Sequence, residues 1–149
     1  MEANQIVWRV SLGSVKAFGP YQSNSSNKKT KRLRDFCDLL CELHVGKRYP
    51  TPENDNFERA SFGCNSLFGF SSRAQLRNWF SLDERISLAA HGFSLFRVEV
   101  AELSGQGNKQ IAFRKESIVS VRKMPIVRFP VEACTKKKPC PVCDTWLVC

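Results

Sequence analysis

Long apolar runs are missing from this chain of 149 residues. Its apolar stretches end after a few residues, far short of the roughly 20 that an α-helix needs to cross a bilayer. The first residues, MEANQIVWRV, carry neither a basic leader nor an apolar core, so no targeting segment is expected and the protein is read as cytoplasmic. A prenylation box would need its Cys at the position held by Trp146, so lipid anchoring is not indicated. Acidic residues are scarce, 14 against 23 Lys and Arg. Histidine is scarcer: His44 and His91 both fall at expected helix ends, and no Ser-His-Asp or Cys-His set can be singled out. A hydrolase therefore has little support. No Walker sequence occurs, and GQGNK at 105–109 lacks the third Gly of a dinucleotide fingerprint, which removes nucleotide binding by those routes. No repeat is visible at solenoid periods.

What is present is enough for a real core. Hydrophobic residues make up 42% of the chain, with three Trp and eleven Phe, which suits one domain of ordinary size and argues against global disorder. The net charge of +9 and pI near 9.4 favour encounter with anionic surfaces. Nucleic acid, or a host or defence complex that handles it, is the first partner to consider; the alternative is that the charge serves solubility alone. The cations are clustered. Lys28, Lys29, Lys31, Arg32 and Arg34 form one group, Arg114, Lys115, Arg122, Lys123 and Arg128 a second, and Lys136 to Lys138 a third.

The pattern along the chain predicts an α+β fold: a central mixed sheet of about four to six short strands with two or three packed helices, over residues 1–130. Residues 5–10 are β-branched and aromatic enough for an early buried strand, in which Arg9 is the odd residue. Residues 22–30 read as a flexible polar loop. Leu33, Phe36, Cys37, Leu40, Cys41 and His44 recur at helical spacing, with Gly46 as a stop. Leu67 to Phe70 predicts a short strand, then a helix capped by Ser71 or Ser72, then a helical segment from Asp83 to His91 with Ile86, Leu88 and Ala89 facing inward. Phe93 to Glu102 is the strongest strand, with Lys109 to Arg114 expected to return beside it as a hairpin and Ile118 to Arg122 adding a further strand.

Residues 131–149 change character to a Cys- and Lys-rich tail. Seven cysteines without a secretory signal imply thiols or metal ligands rather than a disulfide framework. Cys140-Pro-Val-Cys143 has the spacing at which a turn lets two thiolates share a tetrahedral ion, and Cys134 and Cys149 could complete a zinc site. Against zinc, the flanking gaps of five residues are not a common finger spacing. Cys37, Cys41 and His44 form a second stripe, with Cys64 as an outside ligand, but the same stripe is the apolar face of its helix and core packing is the favoured reading.

The series Trp8-Arg9, Gly19-Pro20-Tyr21, Gly69-Phe70-Ser71, Gln75-Leu76, Trp79-Phe80, Gly92-Phe93 and Gln110-x2-Phe113 resembles a group of small bacteriophage and prophage proteins, over about positions 6 to 113. That resemblance implies a phage origin and no particular chemistry; the tail is not part of it. More distantly, the order of elements looks like a compact ADP-ribosyltransferase. There the likeness implies NAD as cofactor, Arg9 gripping its phosphates, Ser71 and Ser72 bracing the nicotinamide ribose, and Gln110 at the place of a late Glu. An amide there supplies no negative charge to an oxocarbenium-like transition state. Glu116 is a nearby carboxylate that matches no motif. The bland alternatives are a salt bridge for Arg9 and helix capping for the serines. Three functions follow: a phage accessory protein that binds through its basic surface, for example an anti-defence inhibitor; an NAD-cleaving enzyme; or a small interaction protein stabilised by zinc.

Overall fold

A computed structural model describes residues 3–21, 30–57 and 62–127. Within them run β1 (Gln5–Leu12), α1 (Lys31–Leu43), β2 (Ser66–Gly69), α2 (Arg73–Trp79), α3 (Leu82–Ala90), β3 (Phe93–Val100), β4 (Gly105–Gln106), β5 (Ile111–Arg114) and β6 (Ile118–Met124). The fold is α+β, with six strands and three α-helices among the described residues. Cys134, Cys140, Cys143 and Cys149, the expected polar stretch with Lys28 and Lys29, and Arg128 lie outside the described residues. No helix among those described is long and apolar enough to cross a membrane.

The strands form two antiparallel sheets of three, ordered β1-β3-β6 and β2-β5-β4, where a single mixed sheet was expected. Their backbones are bridged where Trp8 and Phe70 exchange both hydrogen bonds, each at 2.8 Å. Gly69 makes that approach possible, since a Cβ there would sit 2.6 Å from Val7 Cγ1 and 2.7 Å from the Trp8 carbonyl oxygen. The alternation of β1 then divides the core. Trp8 and Val10 join Cys37, Leu40, Leu76, Leu88, Phe93 and Leu95 under the helices. Val7 joins Val98, Val100, Ile111 and Phe113 between the sheets.

Two expectations need correction. β5 does not pair with β3; its neighbours are β2 and β4, and both edges of β3 are taken by β1 and β6. The apolar residues of β3 and β5 do meet, but within the core between the sheets, so the strands belong to opposing layers and not to one hairpin. On α3, Ile86 is 48% exposed and Ala89 is exposed, while Arg85 and Leu88 are buried. The reason lies at the N-terminus of the helix. Ser81 and Glu84 form a reciprocal capping box, and Glu84 also bonds to His44 at the end of α1. This tie fixes the rotation of α3 so that the stripe 84, 85, 88 and 91 faces the protein.

Candidate functional site

α1 and α3 run antiparallel: Phe36 stacks on His91 at 4.0 Å at one end, and His44 meets Glu84 at the other. At the second end the chain gathers a polar relay. Trp79 Nε1–H donates to the Tyr21 hydroxyl oxygen at 2.6 Å, Tyr21 bonds to His44 Nδ1, and His44 Nε2 lies 2.7 Å from Glu84 Oε1. Counting donors assigns the hydrogens. The Glu84 carboxylate can only accept, so His44 Nε2 carries a hydrogen and donates to it; in the neutral ring Nδ1 then accepts the Tyr21 hydrogen, while the phenol oxygen accepts from the indole. The ring of His44 lies flat on Tyr49, 3.8 Å between centroids and 2° between planes.

The electrostatics follow from enclosure. Burial pushes the Tyr21 phenol up against the opposing hydrogen bond from Trp79, and the charge of Glu84 adds to the rise, so Tyr21 stays protonated. Burial also pushes Glu84 up, but hydrogen bonds from the Ser81 backbone and from His44 outweigh it and hold the carboxyl below its ordinary value. Tyr21, His44, Tyr49 and Trp79 line a cleft of about 890 Å³ together with Lys109 and Gln110. Both His44 nitrogens are engaged within the protein, as is the Lys109 ammonium, which donates to the carbonyls of Lys47 and Arg48 at 2.9 and 2.8 Å.

Opposite α1, buried Asp55 closes the cleft. Its carboxylate accepts from the backbone N–H groups of Lys109 and Gln110 at 2.7–3.1 Å. Gly107 packs so closely on Asp55 that a Cβ would meet its carbonyl and carboxylate oxygens at 2.5 Å. Asp55 sits in a Pro- and Asn-rich stretch whose composition signals only a loop. Ser81-x2-Glu84, by contrast, carries a legible capping signature.

Arg9, Ser71, Ser72 and Gln110 are placed as follows. Arg9 is 5% exposed and points between the sheets, where Nε, Nη1 and Nη2 donate to the carbonyls of Val15, Phe68 and Ala17 at 2.8, 2.7 and 2.9 Å. Burial lowers its pKa to about 10, so it is charged at neutral pH. Its partners are carbonyls rather than a carboxylate. Ser72 caps α2 by accepting from Gln75 N–H, and the Ser71 hydroxyl donates to Gln75 Oε1 at 2.7 Å. The Gln110 amide donates to the Pro50 carbonyl at 2.8 Å. Arg9 and Gln110 line one cavity of about 180 Å³; Ser71 and Ser72 do not.

Among the thiols, Cys37 is fully buried in the core, Cys41 is half-buried against the Tyr21 carbonyl, and Cys64 is exposed beyond them. No cluster of three or more His, Cys, Asp or Glu suited to a metal occurs among the described residues. Cys64 instead lines a groove of about 720 Å³ with Arg114 and Glu116.

The cations sit on the outside. Lys31, Arg32 and Arg34 are exposed in the first turn of α1, Arg114 is exposed at the end of β5, Lys115 is half-buried just after it, and Arg122 and Lys123 are exposed on the edge strand β6. Lys31 pairs with Asp35 of its own helix at 2.6 Å. The first turn of α1 holds no acidic residue. Three cations therefore lie at the positive end of a helix dipole, where they lower helix stability.

A family model described as the bacteriophage T4 Y00F protein matches residues 1–127. The match bears out the phage relationship carried by the residues from Trp8 to Phe113. No curated protein and no solved structure matches the chain.

Proposed function

Since the chain belongs to the bacteriophage T4 Y00F protein family, we propose that this phage accessory protein acts by binding, through its basic surface, to nucleic acid or to a host or defence complex that contains it. The observation that carries this reading is the siting of its charge. Lys31, Arg32 and Arg34 crowd the end of α1 that disfavours cations, with only Lys31 offset by a carboxylate. Charge kept where it lowers stability is charge available to an anion from outside. Inhibition of a bacterial defence system is one form such binding takes, and it acts stoichiometrically.

The test is association of the purified protein with DNA and RNA fragments across a salt series. Binding that weakens steeply with salt, and that is lost when Lys31, Arg32 and Arg34 or Arg114, Arg122 and Lys123 are reversed in charge, is expected. Salt-insensitive association, or variants that bind as the parent does, would sink the electrostatic reading.

One observation favours a second reading, an ADP-ribosyltransferase-like enzyme that cleaves NAD: Arg9 and Gln110 line a common cavity. Arg9→Ala is a poor probe of it, because the guanidinium holds three carbonyls of the core. Release of nicotinamide from NAD, abolished by Gln110→Ala in a protein that still melts cooperatively, would support the enzyme. No turnover above blank would remove it. Zinc held by the tail cysteines is tested by metal analysis of the full chain beside a Cys140→Ser, Cys143→Ser variant.

A further inference from the structure

The register of the first sheet lines up residues that the sequence scatters. Trp8 of β1 is the partner of Arg97 in β3, and Arg97 is the partner of Arg122 in β6. The Arg73 guanidinium, at the start of α2, lies over the Trp8 ring at 5.3 Å. Trp8 spends its own N–H and C=O on Phe70, so Trp8 and Arg97 form the close, non-hydrogen-bonded kind of antiparallel pair. The backbone groups of Arg97 then point to β6, and Arg97 and Arg122 stand directly opposite each other with Cβ atoms about 5.5 Å apart. The result is a row, Arg73 over Trp8, then Arg97, then Arg122, that runs across the strands on the helix-bearing face.

Two like charges opposed in one cross-strand pair lower stability. Arg97 is offset in part by the charge of Glu99, which acts through space and is screened by solvent. Glu99 is one pair further along, and its two oxygens are taken by Asn4 at 2.8 Å and Ser120 at 2.9 Å. It forms no ion pair with either arginine within 4.0 Å among the described residues. Arg97 is half-buried and Arg122 exposed, so both can be approached. Apolar packing under the helices covers the neighbouring pair, Val10 with Leu95, and so bounds the row on that side. Glu99 bounds it on the other, leaving a strip of positive charge rather than a diffuse patch.

We infer that this row is a contact line for the phosphate backbone of a nucleic acid. The inference rests on the proposed function and names the residues that would carry it. Guanidinium groups match phosphate oxygens in pairs. Adjacent strands lie about 4.8 Å apart, so the row from Trp8 to Arg122 spans about 10 Å, too long for one phosphate and suited to successive ones. Trp8, 9% exposed, supports Arg73 from below and leaves no open face for stacking on a base. The contact is therefore with the backbone and carries no sequence preference.

The experiment compares three full-length proteins: the parent, Arg97→Gln with Arg122→Gln, and Lys31→Gln with Arg32→Gln and Arg34→Gln. Each is titrated with single-stranded DNA, double-stranded DNA and RNA of mixed sequence, and with polyglutamate, over a salt series. The row variant should bind nucleic acid at least about tenfold more weakly and lose about two units of the slope of log affinity against log salt. It should melt no lower than the parent, because a like-charge pair has been removed. If the α1 variant loses binding and the row variant keeps parental affinity and slope, the basic surface is real and the row is wrong. If the parent binds no nucleic acid, or polyglutamate competes as well as nucleic acid at equal charge, the phosphate assignment falls with the reading it rests on. A markedly lower melting temperature for the row variant would make the pair structural and overturn the inference.

Discussion

Arg9 and His44 are the two residues whose roles depend most on where their hydrogens go. Arg9 satisfies three carbonyls of the layer between the sheets, two of them in the turn that follows its own strand and one in β2. Arg9→Met keeps a long apolar stem but strands those carbonyls, each worth about 1–3 kcal/mol when left unmet in a buried place. The expected loss is about 3 kcal/mol or more, read from the urea midpoint; a change under about 1 kcal/mol would mean that water replaces the guanidinium. The relay through His44 gives a second expectation, in acid. Glu84 titrates lower in the folded protein than its ordinary value of 4.5. Its contribution is therefore fully present above that value and is lost as pH falls through the lower, folded one, because the unfolded chain takes up the proton first. Glu84→Gln should flatten the acid limb of the stability profile as pH falls below the ordinary carboxyl value of 4.5. Parallel limbs for parent and variant would show that Glu84 is not linked to folding.

At the scale of elements, rotation and partnering separate what could be read in advance from what could not. α3 tests this most simply. Leu88, fully buried under the helices, should cost about 2–5 kcal/mol when cut to Ala, whereas Ile86→Ser, at an exposed position, should stay within about 0.5 kcal/mol. Thermal melts of the two variants check the assignment, and equal losses would return Ile86 to the core. The sequence made α3 legible as a helix through Ser81, its apolar residues and Gly92. It left open which of two overlapping stripes faced inward, because Ile86 and Ala89 are as apolar as Leu88 and a buried Arg85 runs against composition. The deciding contact, Glu84 to His44, joins residues 40 positions apart. The strands behave alike. β1, β2, β3 and β6 were legible from β-branched and aromatic content, but the partner of β5 is set by the single bridge at Trp8 and Phe70 and by the space at Gly69. The relay and the arginine row depend on register as well, so Tyr21, Trp79, Glu84, Arg73 and Arg97 carried no signal as members of a site.

For the molecule as a whole, a net charge of +9 acts in two directions at once. Cations on α1 and across the first sheet repel one another within the folded state, which lowers its stability at low ionic strength. The same cations attract a polyanion, and that attraction is also strongest at low ionic strength. Screening therefore moves the two properties oppositely. Raising salt from about 0.05 M to about 0.5 M, which shortens the screening length from above 10 Å to about 4 Å, should raise the melting temperature of the free protein. Over the same range, association with DNA or RNA should weaken by orders of magnitude. Adding nucleic acid at the low-salt end should lift the melting temperature, because a ligand bound only by the folded state stabilises it by mass action, and at the high-salt end that lift should vanish. Thermal melts across salt, with and without nucleic acid, read all of this from one observable. A melting temperature that falls with salt would mean that the charges are paired within the fold. In that case the excess has no free face to offer, and the basic surface is solubilising charge alone.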